Sequence, residues 1–328
     1  MYLKKFLSFL FLVTSCILYA QANNYQQYHN YLLAAQRSTS ADSIVDYYNK
    51  AFNAAEPFAE DLKNLSNTYF YKGNIKEAEK AFYRSVEQGY QLEKDKDTDR
   101  REFSIDYNLG YLNLNDTTRY GLFISKLYNE NKEKLTRLRK GYLKKKSEAQ
   151  DEIYESMLQN EYYFQSLRFL FYDGKVKDTV AFPYIAKYGS TPNSYFMLRM
   201  LKEKKFPNRR KCARFNGHSI TMLLNHAIAG FLTKDDANEF VTLLWQEVPK
   251  GNITPYEYAS AYDHYVQCFI DENKNLIGTT QYMDDNGTVM LMDLLAPAEV
   301  NAIRKKYWLD TIENYCENLN VKLPRNYE

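Results

Sequence analysis

The amino-acid sequence predicts a mainly α-helical protein, with helical hairpins in its N-terminal part, an α-rich C-terminal domain and one small β-hairpin near residues 276–293. Three observations lead to this fold class. Apolar residues recur at three- and four-residue spacing in several segments, as they do on the buried face of a helix. One such segment resembles the segment about 34 residues before it, which is typical of helical repeats. Finally, "LIGTTQYMDDNGTVMLMDLL" places two extended runs around an Asn-Gly pair, a preferred turn composition of β-hairpins.

Residues 1–22 have the composition of a secretory signal peptide. Two lysines precede an apolar stretch over residues 6–19, which is too short for a good membrane span. Small residues at the end of this stretch predict cleavage after Ala20 or Ala22. As an alternative, "VTSC" resembles a bacterial lipobox, which would leave a lipid on Cys16. We therefore expect an exported protein, periplasmic or secreted or else lipid-anchored, with no transmembrane span in the mature chain.

Residues 23–92 show the pattern of two helical hairpins. In "LKNLSNTYFYKGNIKEAEKAFYRSVEQGY", Gly73 and Asn74 are expected to form the turn between two helices. The positions that would line these helices are apolar or small: Leu62, Leu65, Tyr69, Ala78, Phe82, Ser85 and Val86. The corresponding positions of the preceding segment are nearly all apolar or small as well: Tyr28, Tyr31, Ala35, Ile44, Tyr48, Ala51 and Phe52.

This pattern resembles the tetratricopeptide repeat, a helical hairpin of about 34 residues. The resemblance implies stacked hairpins with a concave surface, because one hairpin cannot cover its own apolar face. We expect a protein or peptide partner on that surface. The alternative is that the repeats only brace the domain that follows.

Residues 93–149 are predicted to contain a charged linker, "EKDKDTDRREFS", and then long helices. The run "KEKLTRLRKGYLKKKSE" is locally basic and is interpreted as the solvated face of a helix. The whole chain has 43 basic and 41 acidic residues, and two of the basic ones lie in the leader. The mature chain is therefore electrically balanced, which gives no reason to expect nucleic-acid binding.

Residues 150–328 are predicted to form an α-rich domain around the β-hairpin. Thr233 is a suitable N-cap, and two aspartates follow it in the first turn. Gly251 is expected to end this helix, and Thr254-Pro255 to begin the next one.

The stretch from about 150 to 318 resembles a bacterial family, the domain of unknown function 6624. The resemblance rests on five pieces in a fixed order, "IAKYGSTP", "GHSITMLLNHA", "KGNITPYEYASAYDHYVQ", "IGTTQYMDDNGTV" and "LLAPAEVNAIRKKYWLDTIENY". The recurrent polar positions of that family correspond to His226, Asp263, Gly278, Thr279, Gln281 and Arg304. The chain departs from the family at His264, where arginine is frequent, and in the blurred element "LQNEYYFQ". The resemblance implies an architecture and a candidate site, and it implies no particular reaction.

The candidate site combines polar residues from different predicted elements. We predict His226 and Asp263 as catalytic candidates, because a carboxylate partner orients the tautomer of a histidine that acts as a general base. Candidates for holding an anionic or amide group of a ligand are His218, Thr279, Gln281 and Arg304. The alternative is a structural network in which such side chains satisfy one another in a helical core.

The sequence predicts no metal site and no cofactor. His218 and His226 are eight residues apart, so on one helix they would lie about 12 Å apart along the axis and about 80° apart around it. Zinc requires ligands at about 2.0–2.1 Å, which this pair cannot provide together.

Two hypotheses for the function follow. The first is an exported bacterial envelope protein that acts as a non-catalytic interaction or scaffold protein. The second is a small-molecule binding protein or hydrolytic enzyme that uses the cluster of His226, Asp263, Gln281 and Arg304.

Overall fold

A computed structural model describes residues 24–90, 118–146, 149–160, 191–209, 217–284 and 286–327. The predicted signal peptide with Cys16, the predicted linker at 93–104, and the side chain of His218 lie outside the described residues. The fold class is confirmed, since the described part of the chain is mainly helical with small two-stranded sheets. The chain divides into two compact units, and the boundary lies between Ser147 and Glu148.

The N-terminal unit contains five helices in its described part. They are α1 at 24–37, α2 Ala41–Ala54, α3 Ala59–Tyr71, α4 Ile75–Glu87 and α5 Arg119–Leu143. Consecutive helices from α2 to α5 contact one another. Most of the predicted lining positions are buried: Tyr28, Ala35, Tyr48, Ala51, Leu62, Leu65, Ala78, Phe82, Ser85 and Val86. The other four, Tyr31, Ile44, Phe52 and Tyr69, are half-buried. Burial of these positions in two successive hairpins explains the periodicity of the sequence.

The turn between α3 and α4 forms as the sequence predicts. Gly73 has a φ of +82°, a conformation that favours glycine. Asn74 caps α4, and its side chain accepts a hydrogen bond from the amide of Glu77. Where the two helices pack, the Ser66 hydroxyl donates to the Ala78 carbonyl oxygen at 2.6 Å, which requires small side chains at the contact.

Helix α5 packs on α4 and bends at Asn131, whose φ of −127° departs from helical geometry. Its C-terminal end is held against the segment that follows α4. Gly89 has a φ of +105°, and a Cβ atom built on it would lie 2.4 Å from Cζ of Tyr142. Arg139 also donates to the carbonyl oxygen of Gly89 at 3.2 Å. Gly89 therefore combines a left-handed backbone with a close approach of an aromatic ring.

We expect Gly89→Ala to destabilise the N-terminal unit by about 2 kcal/mol or more, because both the positive φ and the contact with Tyr142 disfavour a Cβ atom. Gly141→Ala is the matched control. Gly141 lies inside α5 with open space around its Cβ position, so alanine there should leave stability unchanged or raise it by up to about 1 kcal/mol. Amide hydrogen exchange in α4 and α5 measures both effects. Equal protection in the two variants would contradict the role given to Gly89.

The C-terminal unit contains seven α-helices and four short strands in its described part. The helices are α6 at 149–160, α7 Thr191–Lys202, α8 Gly217–Ala229, α9 Lys234–Trp245, α10 Pro255–Phe269, α11 Val300–Lys306 and α12 Ile312–Leu319. The strands are β1 Lys274–Asn275, β2 Gln281–Met283, β3 Val289–Leu291 and β4 Asp293–Leu294. Helix α10 is central, since it contacts α8, α9 and β1. It carries one side of the polar cluster described below.

The predicted helix starts are observed in this unit. The Thr233 hydroxyl caps α9, and Thr254 and Glu257 form a reciprocal capping box at the start of α10. One boundary differs from the prediction. Helix α9 ends at Trp245 rather than at Gly251, because turns over 246–251 separate it from α10. The glycine still has the expected left-handed backbone, with a φ of +70°.

The predicted β-hairpin consists of β2 and β3, which pair antiparallel with Gln281 opposite Leu291. Its loop is longer than a two-residue turn. The Asp284 carboxylate accepts hydrogen bonds from the amides of Asn286 and Thr288, so the aspartate organises the loop from within. Strands β1 and β4 pair in parallel and form a second small sheet.

None of the helices within the described ranges is both long enough and apolar enough to cross a membrane.

Candidate functional site

Most of the predicted site residues lie around one short loop between β1 and β2. We call the segment Leu276–Thr279 the clamped loop. Asp263 on α10 lies on one side of this loop, and Arg304 on α11 lies on the other. Thr279 ends the loop, and Gln281 begins β2 two residues later. The structure thus brings Asp263, Thr279 and Arg304 together.

The Asp263 carboxylate is fully buried and accepts four hydrogen bonds from the clamped loop. Oδ1 accepts from the backbone amides of Leu276 and Ile277 at 2.8 and 2.7 Å. Oδ2 accepts from the amide and the hydroxyl of Thr279 at 2.8 and 2.7 Å. Burial raises the pKa of Asp263, and these four donors oppose the rise because they stabilise the ionised form. The hydrogen-bonding capacity of the carboxylate is therefore directed at the protein's own backbone.

The Arg304 guanidinium holds the same loop through its carbonyl groups. Only 1% of Arg304 is exposed. Its Nη1 donates to the carbonyl oxygens of Ile277 and Gly278 at 2.9 and 3.2 Å, and its Nε donates to the Asp310 carbonyl oxygen at 2.6 Å. Burial lowers the pKa of Arg304, and the nearby Tyr315 and Asp263 act in the opposite direction. The clamped loop consequently lies between a buried carboxylate on its amide side and a buried guanidinium on its carbonyl side.

Gly278 allows the loop to fit between these two groups. Its φ is +79°, and a Cβ atom on it would lie 2.8 Å from Cδ1 of Ile312. A side chain would therefore strain the backbone and collide with α12. This explains in physical terms why a glycine occurs at position 278, among the otherwise polar residues of the candidate site.

A group of polar and aromatic side chains connects the guanidinium to the surface. The Tyr315 ring stacks on Arg304 with a separation of 4.7 Å between Cζ and the ring centroid. The Tyr315 hydroxyl donates to the Tyr256 hydroxyl at 3.1 Å and is also hydrogen-bonded with the side chain of Gln281. Burial raises the pKa of Tyr315 well above its usual range. Gln281 and Tyr256 are exposed, and both are hydrogen-bonded with Tyr315. We call Tyr256, Gln281 and Tyr315 the outer patch.

His226 lies outside the clamped loop, on a helix that packs against α10. It lies on α8, close enough to His264 that its charge contributes to lowering the pKa of His264. Successive residues on a helix point about 100° apart, so Asp263 and His264 project from α10 in different directions. The structure therefore brings His226 to His264 and Asp263 to the clamped loop. The catalytic role of His226 and Asp263 stays a prediction.

His264 provides a pH-dependent test of this arrangement. Burial, with a smaller contribution from His226, lowers its pKa to about 4, below the value of about 6.5 for an unfolded histidine. Because the pKa of His264 is lower in the folded state than in the unfolded state, its contribution to the unfolding free energy is fully present above pH 6.5. This contribution is lost as the pH falls towards 4. We expect about 1–2 kcal/mol of unfolding free energy to be lost between pH 6.5 and 5 in the wild type. In His264→Gln the loss over this interval should be smaller, and an unchanged loss would contradict the assignment.

Sequence reasoning missed several residues that hold α10 and the clamped loop in place. Gln267 on α10 donates from Nε2 to Asn275 Oδ1 and to Thr280 Oγ1, each at 2.7 Å, and so holds the residues that flank the clamped loop. Glu257 accepts two hydrogen bonds from Arg209 Nη1 at 2.9 and 3.0 Å. Burial raises the pKa of Glu257, and the charge of Arg209 opposes this rise. The capping-box pattern at Thr254 could have identified Glu257, but no local pattern identifies Arg209 or Gln267 as partners.

Over the described ranges, no three His, Cys, Asp or Glu side chains are grouped so that they could hold a metal ion.

Comparisons with family models, with curated proteins and with solved structures find no match to this chain.

Proposed function

We propose that this chain is an exported bacterial envelope protein that acts as a non-catalytic interaction or scaffold protein. In this proposal its tetratricopeptide-like N-terminal part binds a protein or peptide partner. The observation that supports the non-catalytic role is the use of Asp263 and Arg304. Both are buried, and their described hydrogen bonds go to backbone groups or to Thr279. A general base needs a lone pair within reach of a substrate, and four donors already occupy this carboxylate.

The partner-binding role is supported by the stacked hairpins and by apolar side chains at the turn between α3 and α4. Tyr71 and Ile75 flank this turn and are 58% and 46% exposed. Large apolar side chains on a surface turn contribute little to the stability of the unit itself. They are suited to burial against another chain.

Two measurements test the proposal. N-terminal sequencing and mass spectrometry of the protein recovered from bacterial fractions locate the cleavage site and show whether Cys16 carries a lipid. Recovery of the uncleaved chain from the cytoplasm would overturn the export part. For the partner, a photo-crosslinking residue is placed at Tyr71 and, as a control, at Leu232, which is 64% exposed in the other unit.

We expect a crosslinked product of defined mass from position 71 and none from position 232. This product should disappear when Ile75 is changed to Ser. Crosslinking at neither position, or equally at both, would overturn the partner-binding part.

The outer patch supports a second candidate function, the binding of a small molecule by the C-terminal domain. Gln281 and Tyr256 are exposed, and their hydrogen-bonding groups lie next to Tyr315. Under this function, Gln281→Ala should keep the unfolding midpoint of the wild type and abolish the ligand-induced stabilisation found in a screen of metabolites. If no compound in the screen stabilises the wild type, this second function is unsupported.

A further inference from the structure

The second half of α5 and the residues that follow it carry a concentrated positive charge. From Lys134 to Lys146 the sequence has seven basic residues and no acidic one. In the whole chain, by contrast, 43 basic residues stand against 41 acidic ones. This segment is therefore a local exception on an otherwise balanced chain.

The structure separates five of these seven cations into two groups. Lys134 and Lys146 lie over the rings of Tyr83 and Tyr142, so they take part in the packing of the unit. Arg137, Lys140 and Lys144 are exposed, and none of them lies over an aromatic ring of the described residues. Their spacings of three and four residues place them on one face of the helix, in a line about 10 Å long. We call these three residues the basic stripe.

The basic stripe has no anionic partner within the described part of the chain. None of its three side chains lies within ion-pair distance of a described carboxylate, whereas Lys50 pairs with Asp46 at 2.7 Å and Lys202 with Glu239 at 2.7 Å. The helix dipole favours cations only in the last turn of a helix. Arg137 lies six residues before the end of α5, so the dipole does not account for its position.

We propose that the basic stripe is a docking surface for anionic lipid headgroups. The three cations form a row on one exposed helix face, which fits a plane of phosphates better than a closed pocket. Two of the three are lysines, whose point charges suit a fluid headgroup layer that offers no fixed bidentate geometry. Leu143 is 40% exposed next to Lys144, and it provides an apolar side chain at the edge of the row. The stripe thus holds the N-terminal unit against a negatively charged membrane.

The test measures binding of the full chain to lipid vesicles. One set of vesicles contains phosphatidylcholine with about a quarter phosphatidylglycerol, and the other contains phosphatidylcholine alone.

The variant Arg137→Gln, Lys140→Gln, Lys144→Gln replaces the three cations of the stripe with a neutral residue that favours helix. The control changes three exposed lysines elsewhere, Lys76, Lys234 and Lys305, to Gln, so that both variants lose the same charge. Circular dichroism verifies that both remain helical. Residues 1–22, with Lys4 and Lys5, are the same in all three proteins, so the difference between the stripe variant and the control isolates the contribution of the stripe.

We expect the wild type and the control to prefer the anionic vesicles at low salt and to lose this preference at about 0.5 M salt. The stripe variant should bind the anionic vesicles on the order of 100-fold more weakly than the wild type. The proposal is overturned if the wild type shows no preference for anionic vesicles, or if the stripe variant and the control bind equally. The proposal is also overturned if polyglutamate or duplex DNA binds the stripe as tightly as the anionic vesicles do and displaces the protein from them. The stripe would then bind a different class of partner.

Discussion

Asp263→Ala is expected to lower the unfolding free energy of the C-terminal unit by about 3–5 kcal/mol. The substitution leaves three loop amides and the Thr279 hydroxyl without their acceptor, and it removes one of the negative charges that compensate the buried Arg304 guanidinium. Urea unfolding followed by tryptophan fluorescence measures this loss. Trp245 and Trp308 are the two tryptophans of the chain, and both lie in the C-terminal unit, so the signal reports that unit alone.

Asp235→Ala is the matched control for the loss of an aspartate. Asp235 is exposed in the first turn of α9, where its interaction with the helix dipole contributes about 0.3–1 kcal/mol. If Asp263→Ala costs no more than this control, the four hydrogen bonds do not stabilise the loop. Asp263 would then return to consideration as a catalytic residue, since a folded variant with an unchanged midpoint allows its chemistry to be tested directly.

Local patterns predicted those parts of the fold that depend on near neighbours in the sequence. The hairpin of α3 and α4 follows from apolar spacing, a turn glycine and an N-cap, and these interactions connect residues fewer than five positions apart. The start of α10 at Thr254 follows in the same way from a capping box that spans three residues. The end of α9 was less predictable, because several turns connect Trp245 to Gly251.

The clamped loop shows where sequence reasoning stopped. Asp263, Thr279 and Arg304 were identified as candidate residues, but their shared role depends on contacts across 16 and 26 or 27 positions. Those contacts require the path of the chain through β1 and α11, which no local pattern specifies. The proximity of His226 to His264 is similar, since it depends on how α8 packs against α10. Residue identity therefore indicated which side chains matter, and only the fold showed what each one contacts.

The second large effect is expected for Arg304, and it should be coupled to that of Asp263. Arg304→Met removes the donor to the carbonyl oxygens of Ile277, Gly278 and Asp310, and it removes the positive charge that interacts with the buried Asp263 carboxylate. We expect a loss of about 3–5 kcal/mol, measured by the same tryptophan signal. The coupling arises because one peptide unit contacts both charges. The carbonyl oxygen of Gly278 accepts from Arg304, and the amide of Thr279 in the same unit donates to Asp263.

A double-mutant cycle measures this coupling. When Asp263→Asn and Arg304→Met are combined, neither buried charge remains, so the double variant should lose about 1–3 kcal/mol less than the sum of the single losses. Asp263→Asn combined with Arg199→Met is the control cycle, because Arg199 is exposed on α7 and has no described contact with the loop. Additivity within about 0.5 kcal/mol is expected for the control. If the losses of unfolding free energy for Asp263→Asn and Arg304→Met are also additive, the two charges act on the loop independently. The bridge through the Gly278–Thr279 peptide would then have no energetic role.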